Sequence, residues 1–359
     1  MKKHLLIISI FFYCVSVLAQ DEKKEIQKDS DVVKEKKIDF TVMPFFSYNR
    51  NLKIMFGAIP MAMYKFDQND TISPKSLSGL SAVYTTNKSY FIAFFNRFYF
   101  KEDKWRGKFF VLNGDYNSQF FMDDGEEIPG FYDYGTKVSV VSAGIQKKIL
   151  KGFYGGVTYT YAHYKTNYED DVQPESTTVT NGAELNLLYD TRNAVYYPTK
   201  GIKSNLRWIN YGEWLGNDVK ANKILTEYNQ YFPFRNNKDV LATRFAGKFG
   251  LGAIAFEQQV TISGKDIRGY TESKYRGDGL MDIQGEYRYN FGKKMGLVGF
   301  AGLATIYGSD TESFDWKMYP GGGVGYRYRA FKTVKFNIGL DAAVGKGDWG
   351  IYFRIGEAF

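Results

Sequence analysis

The feature that most constrains the fold is a repeated segment of about ten residues in which apolar and polar side chains alternate, as transmembrane strands do. Such segments run from Asp39 to Phe359, each closed by a turn signal. In "MDIQGEYRYNF", residues 281–291, the aromatic and aliphatic residues occupy alternate positions, and most residues between them are polar. Because successive side chains of a strand point to opposite faces, each segment has one apolar and one polar face.

The alternation predicts about sixteen strands, and an even number places both ends of the strand array on the same side of a closed sheet. The predicted strands are 39–49, 53–66, 77–86, 90–101, 106–118, 136–150, 154–166, 178–192, 200–213, 219–232, 238–253, 280–291, 295–306, 318–330, 334–344 and 349–359.

Two all-β architectures use alternating strands. A soluble sandwich turns its apolar faces inward, whereas a membrane barrel turns them outward to lipid. Aromatic residues make up 18% of the chain, and 37 glycines stand against only 8 prolines. With the strand length, this composition favours an all-β, transmembrane antiparallel β-barrel with a polar lumen.

The N-terminus indicates export. Residues 1–19 combine a basic start, a short apolar run and small residues before Gln20, which is the pattern of a cleaved signal peptide. Residues 20–37 are charged and without periodicity, so we expect a flexible periplasmic lead-in. Residues 38–359 then form the barrel, in the outer membrane of a Gram-negative bacterium and in contact with its lipid.

Few residues are suited to catalysis or metal binding. The one cysteine, Cys14, lies in the signal segment, and His163 is the one histidine beyond it. We therefore expect no catalytic residue, no metal site and no cofactor, and we do not expect an enzyme. The formal net charge of +8 is spread along the chain, so nucleic acid is not an expected partner.

Three motifs resemble those of the BamA/TamA-type outer-membrane assembly factors, the bacterial surface antigen superfamily. The first is Ile267-Arg268-Gly269-Tyr270, in the long sixth extracellular loop "KDIRGYTESKYRGDG". The second is an inner-turn motif in "YDTRNAVYYPTKG", and the third runs from "GVGYR" at residues 323–327 to Phe359. The inner-turn motif consists of Asp190, Arg192, Pro198 and Gly201. The resemblance extends over residues 39–359.

The resemblance implies that the sixth loop folds into the lumen and that its arginine packs against the barrel wall. A guanidinium there needs carboxylate partners. The predicted inward faces offer Glu286 first and Asp341 second, with Arg288 on the same face as Glu286. The family's Phe-x-Asp signature is incomplete here, because Gly302 stands where the acid would follow Phe300. The alternative is an ordinary solvated arginine in a mobile loop.

The resemblance also implies the function. Family members usually carry periplasmic POTRA domains, which residues 20–37 are too short to form, so we expect a barrel-only relative without POTRA domains. It would assist insertion or translocation of client outer-membrane proteins, using a separate periplasmic or lipoprotein partner. The seam between the first and last strands would open, and Gly350 and Gly356 either weaken the last strand or only allow curvature.

The resemblance further implies a C-terminal insertion signal, with Phe353, Ile355 and Phe359 on the last strand. The alternative function is a passive pore or a structural barrel without assembly activity. The sequence does not identify the client, the partner or the oligomeric state.

Overall fold

The computed structural model describes residues 37–359 except 50, 123–129, 170–173, 219, 263, 272–273 and 332–333. The predicted signal peptide and the lead-in up to residue 36 lie outside the described residues. The strands are β1 Ile38–Asn49, β2 Lys53–Tyr64, β3 Ser76–Thr85, β4 Tyr90–Phe100, β5 Trp105–Met122, β6 Gly130–Leu150, β7 Phe153–Tyr168, β8 Ser176–Asp190, β9 Gly201–Tyr211, β10 Ala221–Phe234, β11 Asp239–Gly252, β12 Val260–Thr261, β13 Arg276–Gly277, β14 Gly279–Asn290, β15 Met295–Tyr307, β16 Tyr319–Arg329, β17 Asn337–Gly345 and β18 Asp348–Ile355.

Sixteen of these strands close into one antiparallel barrel, which confirms the predicted fold class and strand number. Each strand pairs with its neighbours in chain order, β11 lies next to β14, and β18 returns to β1. The short strands β12 and β13 pair only with each other, inside the segment of residues 253–278, which we call loop six. In the described part of the chain no helix is long and apolar enough to cross a membrane.

The barrel has two ends, which we name from the chain. Ile38 at the start of β1 and Ile355 at the end of β18 lie at the same end, because the sixteen strands are antiparallel; we call this the turn end. Loop six connects β11 and β14 at the opposite end, the loop end.

Along the strands, exposed apolar residues alternate with buried polar residues, as a membrane barrel requires. On β14, Ile283 is 57% exposed, whereas Glu286 and Arg288 are 0% and 2% exposed. In a closed barrel the covered side chains are those that face inward, so the polar face lines the interior and the apolar face is outside. A sandwich would have the reverse polarity, and that alternative is therefore wrong.

An apolar cluster fills the interior at the turn end. Met61 and Met63 of β2 pack with Phe336, which is 3% exposed, and with Tyr196. The sequence predicted a strand that begins at residue 334 and includes Phe336. That boundary is wrong, because β17 begins only at Asn337 and Phe336 packs in the buried cluster just before it.

The last strand is shorter than predicted. β18 ends at Ile355, and Gly356 has a φ of +84°, which turns the chain out of the strand. Phe359 therefore lies off the strand, and it packs against buried Tyr197 and Tyr231. The prediction that Phe359 lies on the last strand with Phe353 and Ile355 is wrong for this reason.

Candidate functional site

The loop-six arginine contacts two carboxylates on different strands. Its Nη2 donates to Glu286 Oε2 of β14 at 3.0 Å, and its Nη1 donates to Asp341 Oδ2 of β17 at 2.6 Å. Arg268 is 1% exposed, and both carboxylates are fully covered. The guanidinium thus bridges two wall positions that are far apart in the sequence.

Three further arginines complete the charge cluster. Arg288 donates through Nε to Glu286 Oε1 at 2.9 Å, so this third candidate shares Glu286 with Arg268. Arg327 of β16 donates to Asp341 through Nη1, and Arg354 of β18 donates to the same carboxylate at 3.2 Å. Glu357, just past β18, accepts from Arg327 Nε at 3.2 Å.

The cluster therefore contains four guanidinium groups and three carboxylates, and nearly all of these groups are buried. Removing a charge from water is costly unless partners of opposite sign compensate it. Each carboxylate of this cluster has at least two arginine partners, so the loss of one carboxylate leaves more unbalanced charge than the loss of one arginine.

An apolar seat surrounds the charged contacts. The Arg268 guanidinium carbon lies 3.2 Å from the centroid of the Phe300 ring, a cation–π contact. Ile267 packs against Gly302 and Gly321, where a β carbon would lie 2.8 Å from its side-chain carbons. The absence of a side chain at Gly302 thus leaves room for Ile267.

The rest of the motif is fixed by backbone contacts. Gly269 has a φ of +109°, and a β carbon there would lie 2.7 Å from the Gly345 nitrogen. Its own N–H donates to the Tyr352 hydroxyl at 2.9 Å. The Tyr270 hydroxyl donates to the Pro320 carbonyl at 2.6 Å, and burial raises the pKa of Tyr270, which keeps that hydroxyl protonated.

The inner-turn motif forms a separate site at the turn end. Arg192 donates through Nε and Nη2 to the two oxygens of Asp190 at 2.8 and 2.9 Å. Burial acts to lower the pKa of Arg192, but the hydrogen bonds and charge of Asp190 outweigh it and raise that pKa. Pro198 is buried, and Gly201 has a φ of +102°, where an added β carbon would lie 2.8 Å from the Thr191 carbonyl carbon.

The seam between β1 and β18 is weakly paired. The two strands share one residue pair, Tyr48 with Ile351, whereas β1 pairs with β2 along all of Ile38–Asn49. The Tyr48 and Trp349 rings stack at 5.1 Å, and the Ser47 hydroxyl donates to the Ile351 carbonyl at 2.7 Å. These contacts lie toward the loop end, so the rest of the seam lacks a strand ladder among the described residues.

Phe353 lies across this seam. Its ring meets Phe45 of β1 edge-on at 5.2 Å, and it packs against the interior apolar cluster. β18 stays paired with β17 up to Ile355, but at this level it has no residue pair with β1 among the described residues. The missing ladder leaves room for the Phe353 ring to turn across the seam toward Phe45.

Sequence reasoning missed Arg354, Glu357 and Tyr352 as parts of the loop-six seat. Arg354 and Tyr352 occupy alternate, inward positions of β18, so the alternating pattern of the last strand could have identified both as inward-facing residues. Glu357 follows the turn at Gly356, and no periodic pattern extends to it.

Comparisons with known proteins identify the family and the fold of the chain. Residues 76–359 match the sequence profile described as the Omp85 superfamily domain. The fold is similar to BamA from Haemophilus ducreyi lacking POTRA domains 1–3, with a TM-score of 0.56 and 13% identity over 90% of this chain and 73% of that chain.

Two further structures are also similar. CdiB from Acinetobacter baumannii has a TM-score of 0.60 and 13% identity over 89% of this chain and 59% of that one. CdiB from Escherichia coli has a TM-score of 0.59 and 9% identity, covering 89% and 63%. The chain thus spans about three fifths of the two CdiB chains. No curated protein matches the chain in sequence.

Proposed function

The chain belongs to the Omp85 superfamily, and from this premise we propose that it assists the insertion or translocation of polypeptides at the outer membrane. Its clients would be other outer-membrane proteins, and a separate periplasmic or lipoprotein partner would deliver them. The family and the closed barrel imply the outer membrane of a Gram-negative bacterium, and export through a cleaved signal peptide stays a prediction.

The observation that carries the proposal is the seam. β1 and β18 share a single residue pair, and β1 therefore has unpaired backbone groups along most of one edge. An exposed strand edge is a template on which an incoming strand can form backbone hydrogen bonds. We propose that a client strand pairs with β1 at this edge.

Loop six would act as the internal support of the seam. The contacts of Arg268 with Glu286 and Asp341, and of Gly269 with Tyr352, tie the loop to β14, β17 and β18. We propose that the loop folds into the lumen and holds β17 and β18 in place while β1 moves. The alternative is a passive pore, which the polar cavity of about 260 Å³ between β4 and β9 favours.

A reversible crosslink across the seam tests the proposal. The described chain contains no cysteine, so Tyr48→Cys with Ile351→Cys places one pair of thiols at the single β1–β18 residue pair. If clients enter at the seam, oxidation should deplete other barrels from the outer membrane, measured by outer-membrane proteomics, and reductant should restore them.

The matched control is Phe46→Cys with Phe56→Cys, an outward pair within the fully paired β1–β2 ladder. Its oxidation should leave the outer-membrane proteome unchanged. An unchanged proteome after seam oxidation would contradict the proposal. A large steady conductance in planar bilayers, unaltered by Arg268→Ala, would then favour the pore.

A further inference from the structure

A second cluster of charged residues faces the interior on the side of the barrel away from loop six. It surrounds the cavity of about 260 Å³ and consists of Arg97 on β4, Lys108 on β5, Glu184 on β8, and Lys203 and Arg207 on β9. Nothing in the assembly proposal uses these residues. Three of its four cations contact a carboxylate, and the fourth, Arg97, contacts none in the described part of the chain.

Arg97 lies directly opposite Lys108 in the β4–β5 ladder, and both side chains face the interior cavity. Like charges directly opposite each other on paired strands are destabilising. Arg97 is exposed to the cavity, and it forms no ion pair with any residue in the described part of the chain.

Lys108 reaches away from Arg97 across two strands. Its Nζ contacts Glu184 Oε1 at 3.3 Å. Gly144 on β6 leaves space for the aliphatic part of the lysine side chain, because a β carbon there would lie 2.7 Å from Lys108 Cε. Arg207 donates to the other oxygen of Glu184. One carboxylate therefore serves two cations.

Both of these cations retain free surface. The Lys108 side chain is 44% exposed and that of Arg207 is 32% exposed, whereas Glu184 is 4% exposed. Lys203 differs, because its Nζ has its own partner in Glu227 at 2.8 Å. The surface that lines the cavity is therefore cationic, with the one shared carboxylate lying behind it.

We propose that this cavity binds a phosphate-class oxyanion between Arg97, Lys108 and Arg207. Guanidinium groups match the geometry of phosphate oxygens in a two-point contact, and an ammonium adds a mobile point charge. A dianion at this position relieves the Arg97–Lys108 repulsion, because Glu184 contacts Lys108 but no carboxylate in the described part of the chain contacts Arg97. Rings of Arg and Lys in membrane pores serve the same class of ligand.

A second cavity of about 460 Å³ adjoins the site at the turn end, and both lysines and carboxylates line it, among them Lys148, Lys335 and Asp190. The two cavities share Arg106 and Arg192 in their walls. The oxyanion is thus either free phosphate entering from this end or the phosphate of a lipid headgroup, and both present the same chemistry to the site.

Thermal unfolding of the purified full chain in detergent tests the proposal. Sodium phosphate, compared with sodium chloride at equal ionic strength, should raise the Tm of the wild-type protein in a concentration-dependent way. Arg97→Gln should lose at least half of that rise. Without phosphate, Arg97→Gln should be no less stable than the wild type, because it removes a repulsion.

Lys151→Gln, in the exposed turn between β6 and β7, is the matched control and should keep the full phosphate effect. Equal protection of the wild type and Arg97→Gln, or no protection of either, would overturn the proposal. A wild type without phosphate that is more stable than Arg97→Gln would overturn the repulsion on which it rests.

Lipid nanodiscs distinguish the two sources of phosphate. In phosphatidylcholine discs, added inorganic phosphate should protect the wild type if the ligand is the free ion. Discs that contain phosphatidic acid should protect it without added phosphate if the ligand is a headgroup. Arg97→Gln should abolish whichever protection is seen, and the absence of both would refute the site.

Discussion

The two regions that flank β18 differ in how firmly they are held. On one side, the wall formed by β14 to β18 carries the loop-six seat, where each carboxylate has several arginine partners. On the other side, the seam with β1 has one residue pair, one side-chain hydrogen bond and two aromatic contacts. β18 belongs to both regions, through Tyr352 and Arg354 on its inner face and Trp349 toward β1.

The comparison teaches that β18 is supported mainly from one side. A strand within a sheet normally has backbone hydrogen bonds to both neighbours, but β18 has a full ladder only with β17. The loop-six seat adds side-chain contacts to β18 through Tyr352 and Arg354.

The largest effect is expected from Glu286→Gln. It removes a buried carboxylate that contacts Arg268 and Arg288, so it should lower the free energy of unfolding by about 3 to 5 kcal/mol. Arg268→Ala should cost less, because it leaves equal numbers of guanidiniums and carboxylates in the cluster. Denaturant unfolding in lipid vesicles measures both effects.

Glu312→Gln, at an exposed loop position, is the control and should change little. The double variant Arg268→Ala with Glu286→Gln should be less destabilised than the sum of the single variants, because both remove the same ion pair. A larger destabilisation by Arg268→Ala than by Glu286→Gln would contradict the expectation that losing a carboxylate leaves more unbalanced charge in the cluster than losing an arginine.

The next effect is expected from Gly269→Ala. Alanine is strained at a φ of +109°, and its β carbon would collide with the backbone of β17. We expect loop six to detach at a cost of about 1 to 3 kcal/mol. Trypsin cleavage after Lys265 or Arg268 should then become roughly five- to hundredfold faster.

Gly299→Ala is the matched control for that experiment. Gly299 lies on the outward face of β15, and a β carbon there meets nothing within 4 Å. Its cleavage rate should equal that of the wild type. Fast cleavage in both variants would mean that the loop is already detached in the wild type.

A smaller effect is expected from Trp349→Ala. It removes the stack on Tyr48, which contributes about 0.5 to 1.5 kcal/mol beyond surface burial. Hydrogen–deuterium exchange should become faster at β1 amides and stay unchanged on β14. Phe91→Ala, which removes a stack on Tyr116 in the fully paired β4–β5 ladder, should not speed exchange at β1.

The smallest effect on stability is expected from Phe359→Ala, at most about 1 kcal/mol, because the ring is half-buried and Arg288 contacts the backbone carbonyl that alanine keeps. The level of folded protein in the outer membrane tests the insertion signal separately. A fall in that level with near-normal stability would support a signal role for Phe359, and normal levels would oppose it.

The strands could be predicted from the sequence because period-two alternation fixes both the strand and its inward face. The inward positions of Glu286 and Asp341 followed from that pattern, and these are the carboxylates that Arg268 contacts. The end of the chain could not be predicted in this way. Phe336 and Phe359 are apolar residues next to strands, and the turns that redirect them carry no periodic signal.

The contact between Ile267 and Gly302 couples the choice of residue at two positions. A side chain at position 302 would occupy the volume now filled by the isoleucine. A larger residue at 302 therefore requires a smaller one at 267, so the two positions are expected to change together.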